Sequence, residues 1–231
     1  MINVMKLTPA LTLIMATLLT ITVASSAQAG PWLRDKGSTF TAASVAMTYY
    51  LDTSSQTYLE YGLTDATTLV GDLSMIRLHN APESGYATLS IRRALSKPDA
   101  TSKWAYELGI GVGWIGAQTL PHLRTGLSWG RGMEWGDKSG WATVEASAVW
   151  DLTYAQHIAK IDMTLGIQIT ELTAGMIQLY TAHMFDENVA TIAPPVIFSP
   201  KKSKFRIQIG TESQLGNLGN TAVKLGLWRE F

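Results

Sequence analysis

Four histidines, His79, His122, His157 and His183, are the first side chains to weigh for chemistry. Hydrolysis of a lipid ester needs a serine, a histidine within hydrogen-bond reach, and a carboxylate or amide to orient that histidine. The set nearest to this is Glu145, Ser147 and His157. Glu145 and Ser147 share one face of an extended chain, but His157 falls at a strand end and in the opposite register, which weighs against a triad. No pair of histidines has metal-ligand spacing with a carboxylate, so no metal is expected. Gly109-x-Gly111-x-Gly113 repeats every second residue and is a strand feature, not a nucleotide-binding loop, so no cofactor is expected either. A second kind of chemistry, passage of polar solutes, is suggested by eleven ionisable residues spread along the chain: Glu60, Asp72, Arg92, Glu107, Arg124, Glu145, Lys160, Asp162, Arg206, Glu212 and Lys224.

These charges sit inside segments that alternate in polarity. The clearest is 103–115, where Trp104, Tyr106, Leu108, Ile110, Val112 and Trp114 share one face, opposite Glu107, Gly109, Gly111 and Gly113. An apolar stripe bounded by aromatics matches the lipid-facing side of a transmembrane β-strand. Eleven further segments have the same period of two, at about 38–51, 56–63, 67–78, 85–95, 122–130, 140–152, 157–170, 173–183, 189–199, 203–214 and 220–231. The segment 189–199, tenth of the twelve in chain order, contains Pro194-Pro195 and is expected to bend there. An even strand count returns the chain to the side where it began, and helical periodicity is not sustained. The fold class expected is all-β: a single closed antiparallel transmembrane β-barrel of 12 strands.

A charge facing lipid at mid-depth costs about 2–4 kcal/mol for Arg or Lys, so the eleven ionisable residues should line the lumen. They comprise six acids and five bases, so no strong preference for ions of one sign is expected. Barrels of about 8 strands fill with side chains and those of 16–18 hold open channels, leaving a 12-stranded lumen between the two. Two readings follow: a narrow channel for small solutes, or a closed structural or assembly barrel whose charges pair across the lumen. The Glu145/Ser147/His157 set keeps a lipid-modifying barrel enzyme as a third, weaker reading.

The chain begins with features of an export signal. Met1–Lys6 carries Lys6, 7–23 is apolar, and Ala27-Gln28-Ala29 is a cleavage site that would leave Gly30 first. Removing 29 residues from 231 leaves 202, about 17 per strand with its connection, so neither a large plug nor a long loop is expected. Gly30–Gly37 is expected to be a polar periplasmic lead-in, with Trp32 as an interface anchor. There is no cysteine, and Lys plus Arg (18) balances Asp plus Glu (18), so no field recruits nucleic acid.

Several stretches carry a family resemblance. Asn220–Phe231, with Val223, Leu225, Leu227 and Phe231 in one register and Trp228 beside them, resembles the C-terminal signal strand of bacterial outer-membrane barrels. Glu60-Tyr61-Gly62-Leu63-Thr64-Asp65, Thr68-Leu69-x-Gly71-Asp72, Gly126-Leu127-Ser128-Trp129-Gly130-Arg131-Gly132 and Gly226-Leu227-Trp228-Arg229-x-Phe231 resemble small proteobacterial outer-membrane barrels of a porin-like or transporter-like group. The resemblance implies the barrel and its residence among outer-membrane lipids, and the terminal strand resembles those that the barrel-assembly machinery reads. It supplies no catalytic or ligand residue. Arg229 departs from the pattern, which usually has an aromatic residue two places before the end.

Overall fold

The computed structural model describes residues 30–184, 187–201 and 203–231; the expected export signal, 1–29, lies outside them. Alternating sequence becomes alternating exposure along strands β1 (Thr39–Thr48), β2 (Thr53–Thr64), β3 (Thr67–Arg77), β4 (Ser84–Ala94), β5 (Ser102–Ile115), β6 (Gln118–Trp135), β7 (Lys138–Asp151), β8 (Gln156–Thr170) and β9 (Thr173–Met184). β10 is one strand in two pieces, Glu187–Ala193 and Val196–Phe198, interrupted at Pro194-Pro195. β11 (Phe205–Gln214) and β12 (Asn217–Glu230) complete the sheet. Each strand pairs antiparallel with its neighbours in sequence, and β12 pairs with β1 from Phe40↔Glu230 to Thr48↔Ala222, closing a 12-stranded barrel. Closure leaves no unpaired edge, as a wall in lipid requires.

The outer wall is apolar. On β5, Ile110 is 65% exposed on the face turned away from the lumen, and Leu108 lies beside it. Val223, Leu225 and Leu227 form the outward face of β12, and exposed Phe231 follows its end in the same register. Arg229 shares that register; its guanidinium lies 4.8 Å from the Phe205 ring and 4.0 Å from the Phe231 ring. The aromatic character absent at position 229 is thus supplied by the rings on either side of the cation.

Two expectations for the strands need correction. The stretch 131–139, which falls between the expected segments 122–130 and 140–152, is not all connection: β6 runs on to Trp135, paired with β7 as far as Trp135↔Lys138. The turn contracts to Gly136-Asp137, where Gly136 (φ 64°) takes the left-handed conformation that two-residue hairpins favour. At the other end, β6 begins at Gln118, four residues earlier than expected, because the turn after β5 is also a two-residue one. The prolines bend β10 without breaking the sheet. β10 pairs with β9 on both sides of the break, and the Pro195 carbonyl accepts from Met176 N at 3.0 Å.

The N-terminal segment is the larger correction. Gly30–Lys36 is not a lead-in below the membrane, and Trp32 is not an interface anchor. Gly30 and Pro31 are buried. Arg34 N donates to Thr68 Oγ1 at 2.9 Å, and Gly37 N donates to the Gly62 carbonyl at 2.8 Å. A side-chain carbon on Gly130 of β6 would collide with Pro31 and Trp32, and one on Gly30 would touch Thr143 of β7. From β1 and β2 the segment therefore crosses the lumen to β6 and β7, as a strap over the end of the barrel that holds both termini of the sheet.

Candidate functional site

The lumen wall is built from the inward register of every strand. On β5 that register includes Gly109, Gly111 and Gly113 in succession, which leaves space for side chains reaching across from the neighbouring strands. Thr88 Oγ1 on β4 and His122 Nε2 on β6 meet at 2.9 Å over Gly111, where any side-chain carbon would strike the imidazole.

The strongest feature of the lumen is a belt of alternating charge. Arg34 Nε of the strap lies 2.5 Å from Glu60 Oε2 of β2. Glu60 Oε1 receives Arg92 Nη1 of β4 at 2.7 Å, so Arg92 reaches past β3. Arg92 Nη2 lies 2.8 Å from Glu107 Oε2 of β5, and Arg124 Nε of β6 lies 2.9 Å from Glu107 Oε1. Arg124 Nη2 then meets Glu145 Oε1 of β7 at 2.9 Å. Tyr58 joins the centre of the belt, donating to Glu60 Oε1 at 2.7 Å and accepting from Arg92 Nη2 at 3.1 Å. Asp72 of β3 accepts from Gln56 Nε2 at 3.1 Å and from the Tyr86 hydroxyl at 3.0 Å. Lys160 and Asp162 of β8 continue the belt around a void of ≈ 30 Å³ that also meets Gly30, Glu145 and Tyr180.

The remaining charges lie apart from the belt. Glu212 and Lys224, on the adjacent strands β11 and β12, form a buried pair at 2.6 Å. Arg206 is not mid-lumen: its side chain is 33% exposed at the mouth, 3.4 Å from Glu230. Trp228, which the sequence sets one place off the outward register of the terminal strand, is 1% exposed inside the barrel. Its ring meets Phe40 edge-on at 6.1 Å between centroids. Phe40, Trp228, Tyr58, Val70, Met176 and Ile197 make an apolar cluster beneath the strap, with Trp141 packed against it. Strap, cluster and belt together occupy the lumen at the end with the termini.

At the other end the lumen opens into a vestibule of ≈ 140 Å³, lined by Tyr86, Thr88, His122, Arg124, Asp151 and Lys160 among others. Both signs of charge and neutral donors are presented there, so a polar solute would meet partners of either kind. The Glu145/Ser147/His157 set is not assembled. Ser147 is buried on the inner face, whereas exposed His157 lies in the outward register, its ring 5.4 Å from that of Trp150. Among the described residues no three His, Asp or Glu side chains gather as a metal site.

Sequence reasoning did not find the strap or the apolar cluster. The glycine at 130 was one available signal, since a wall residue without a side chain marks a close approach. The aromatic Phe40 and Trp228 in an otherwise small or polar register were another.

No family model and no curated protein sequence matches the chain. Among solved structures it is similar to the KdgM porin, with TM-score 0.60 and 8% identity over 83% of this chain and 99% of that one. The KdgM porin in complex with disordered oligogalacturonate gives TM-score 0.57 and 8% identity over 84% and 99%. An outer membrane channel from Pseudomonas putida F1 gives TM-score 0.56 and 12% identity over 90% and 100%. At these identities the likeness is one of fold: the chain has the architecture of outer-membrane β-barrels.

Proposed function

We propose that this chain is an outer-membrane barrel that conducts small solutes through a narrow, charge-balanced lumen, closed at rest by its own N-terminal strap. The charge belt carries this reading. Burying ions costs several kcal/mol each, and apolar side chains of similar volume would fill a purely structural barrel at less cost. A belt of alternating sign beside an open vestibule instead provides successive partners for a polar solute once the strap withdraws. The fold shared with a porin and an outer membrane channel supports the same reading, as does the sequence resemblance to porin-like or transporter-like proteobacterial barrels. Removal of residues 1–29 as an export signal, insertion by the barrel-assembly machinery and residence among outer-membrane lipids belong to this proposal. No catalytic step is assigned, since Ser147 and His157 lie on opposite faces of the wall.

A closed structural barrel is the second reading, favoured by the apolar cluster of Phe40, Trp228 and Met176, which packs buried apolar side chains inside the barrel at the strap end. Planar-bilayer recording separates the two. Conduction predicts small, infrequent steps from the purified mature protein and larger, steady ones after deletion of residues 30–33. Silence from both forms, each shown to be folded by heat-modifiable migration, would overturn the channel reading in favour of the structural one.

A further inference from the structure

The strap brings Gly30 into the lumen beside three carboxylates, Asp72, Glu145 and Asp162. Gly30 is also the residue that cleavage after Ala29 would make the first. Hydrolysis of the Ala29–Gly30 peptide bond consumes one water, leaves a carboxylate on Ala29, and gives Gly30 an amine that takes up a proton to become an ammonium.

Two observations show that this corner of the lumen is set up for a cation. The first is the charge count. Five carboxylates stand in and around the belt: Glu60, Asp72, Glu107, Glu145 and Asp162. Four side-chain cations, Arg34, Arg92, Arg124 and Lys160, stand with them, histidine being counted neutral. Glu60 and Glu107 each already hold two arginines, and Glu145 holds one. The second is hydrogen bonding. Asp162 Oδ1 and the Tyr180 hydroxyl, both buried in the wall of the void that Gly30 meets, have no hydrogen-bond partner among the described residues. A buried acceptor left unpaired costs about 1–3 kcal/mol, and more when charged, so such atoms ordinarily mark a missing partner.

We infer that the void bounded by Asp162, Glu145, Tyr180 and Thr143 is a binding site for the chain's own α-ammonium, created at Gly30 by removal of the export signal. The inference rests on the processing reading above. An ammonium offers three donors and one positive charge. One donor satisfies Asp162 Oδ1, a second can reach Tyr180 or Thr143, and the charge makes the cations equal in number to the carboxylates. The unprocessed chain has an amide at this point, with a single N–H and no charge, and it must also pass residue 29 through the same space. Processing would therefore latch the strap in the lumen, so that the barrel is stoppered only after the signal has gone.

The mature protein in phospholipid vesicles provides the test. Its intact mass establishes the first residue. Reductive dimethylation with formaldehyde and cyanoborohydride then reports the free amine, read as labelling of the N-terminal peptide against the surface lysines in the same sample. The expected result is Gly30 labelling about tenfold or more slower in the folded barrel than in the unfolded chain, the effect of one opposite charge held close to an ammonium. Asp162→Asn should bring labelling most of the way to the unfolded rate. The comparison of folded and unfolded wild-type protein stands even if the variant fails to fold. Equal rates in the folded and unfolded protein would overturn the latch while leaving the processing reading intact. A first residue other than Gly30 would overturn both.

Discussion

Arg92→Met tests whether the charge belt is a dry, connected structure. Arg92 is 2% exposed and meets Glu60 at 2.7 Å, Glu107 at 2.8 Å and the Tyr58 hydroxyl at 3.1 Å. Methionine is unbranched and adaptable, so the variant removes the charge and donors while keeping much of the packing. Breaking a buried ion pair by deleting one partner costs about 3–5 kcal/mol, because it leaves a buried charge uncompensated. Here neither carboxylate is left bare, since Glu60 keeps Arg34 and Glu107 keeps Arg124, which places the loss at the low end of that range. A loss of about 3 kcal/mol is expected, or roughly a hundredfold in the unfolding equilibrium. The assay is urea unfolding in phospholipid vesicles, followed by tryptophan fluorescence and by the heat-modifiable gel band. Adding Glu107→Gln to Arg92→Met should cost less than the two single losses combined, by about 1–3 kcal/mol, as expected for residues in one network. A loss below about 1 kcal/mol for Arg92→Met, with additive behaviour in the double variant, would mean that water screens the belt like a surface ion pair, and the argument for a dry lumen would fail.

Trp228→Ala should cost about 3–5 kcal/mol in the same titration, the range for removing a buried aromatic ring. Leu225→Ala, on the outward face of the same strand, should cost distinctly less, because lipid closes over the gap; equal losses would argue against an apolar cluster inside the barrel. Phe231→Ala should lower the fraction of exported protein that reaches the heat-modifiable state, through loss of the outward terminal aromatic and of its contact with Arg229. Normal insertion of that variant would show that the last residue does not guide assembly.

Much of the barrel was legible because its information is local. Leu108, Ile110 and Val112 alternate with Glu107, Gly109 and Gly111, and the free energy of placing each side chain in lipid or lumen depends little on what lies across the barrel. The same rule placed Glu60, Arg92, Glu107 and Arg124 inward. It failed for the connections around β6, because Gly132 reads as a loop residue when only local conformation is considered. In the structure Gly132 continues the strand, as does Gly130, which makes room for Pro31 and Trp32. The strap was misread for a similar reason. Gly30–Gly37 has no period and carries Arg34, Asp35 and Lys36, which is how a solvated terminus looks. Its burial depends on Glu60, Thr68 and Thr143, residues of three different strands.

The sequence by itself determined the wall: an all-β chain, the number of strands, the face each side chain takes, and an outward apolar stripe ending in Phe231. These follow from a period of two, which each strand carries independently of its neighbours. The tertiary structure decided what fills the space inside. Arg92 pairs with Glu60 past an intervening strand, Phe40 meets Trp228 only because β1 closes on β12, and the N-terminal segment finds its partners on the far side of the lumen. Which inward residues face one another is set by the tilt and stagger with which the sheet closes on itself, and these belong to the whole barrel, not to any one strand.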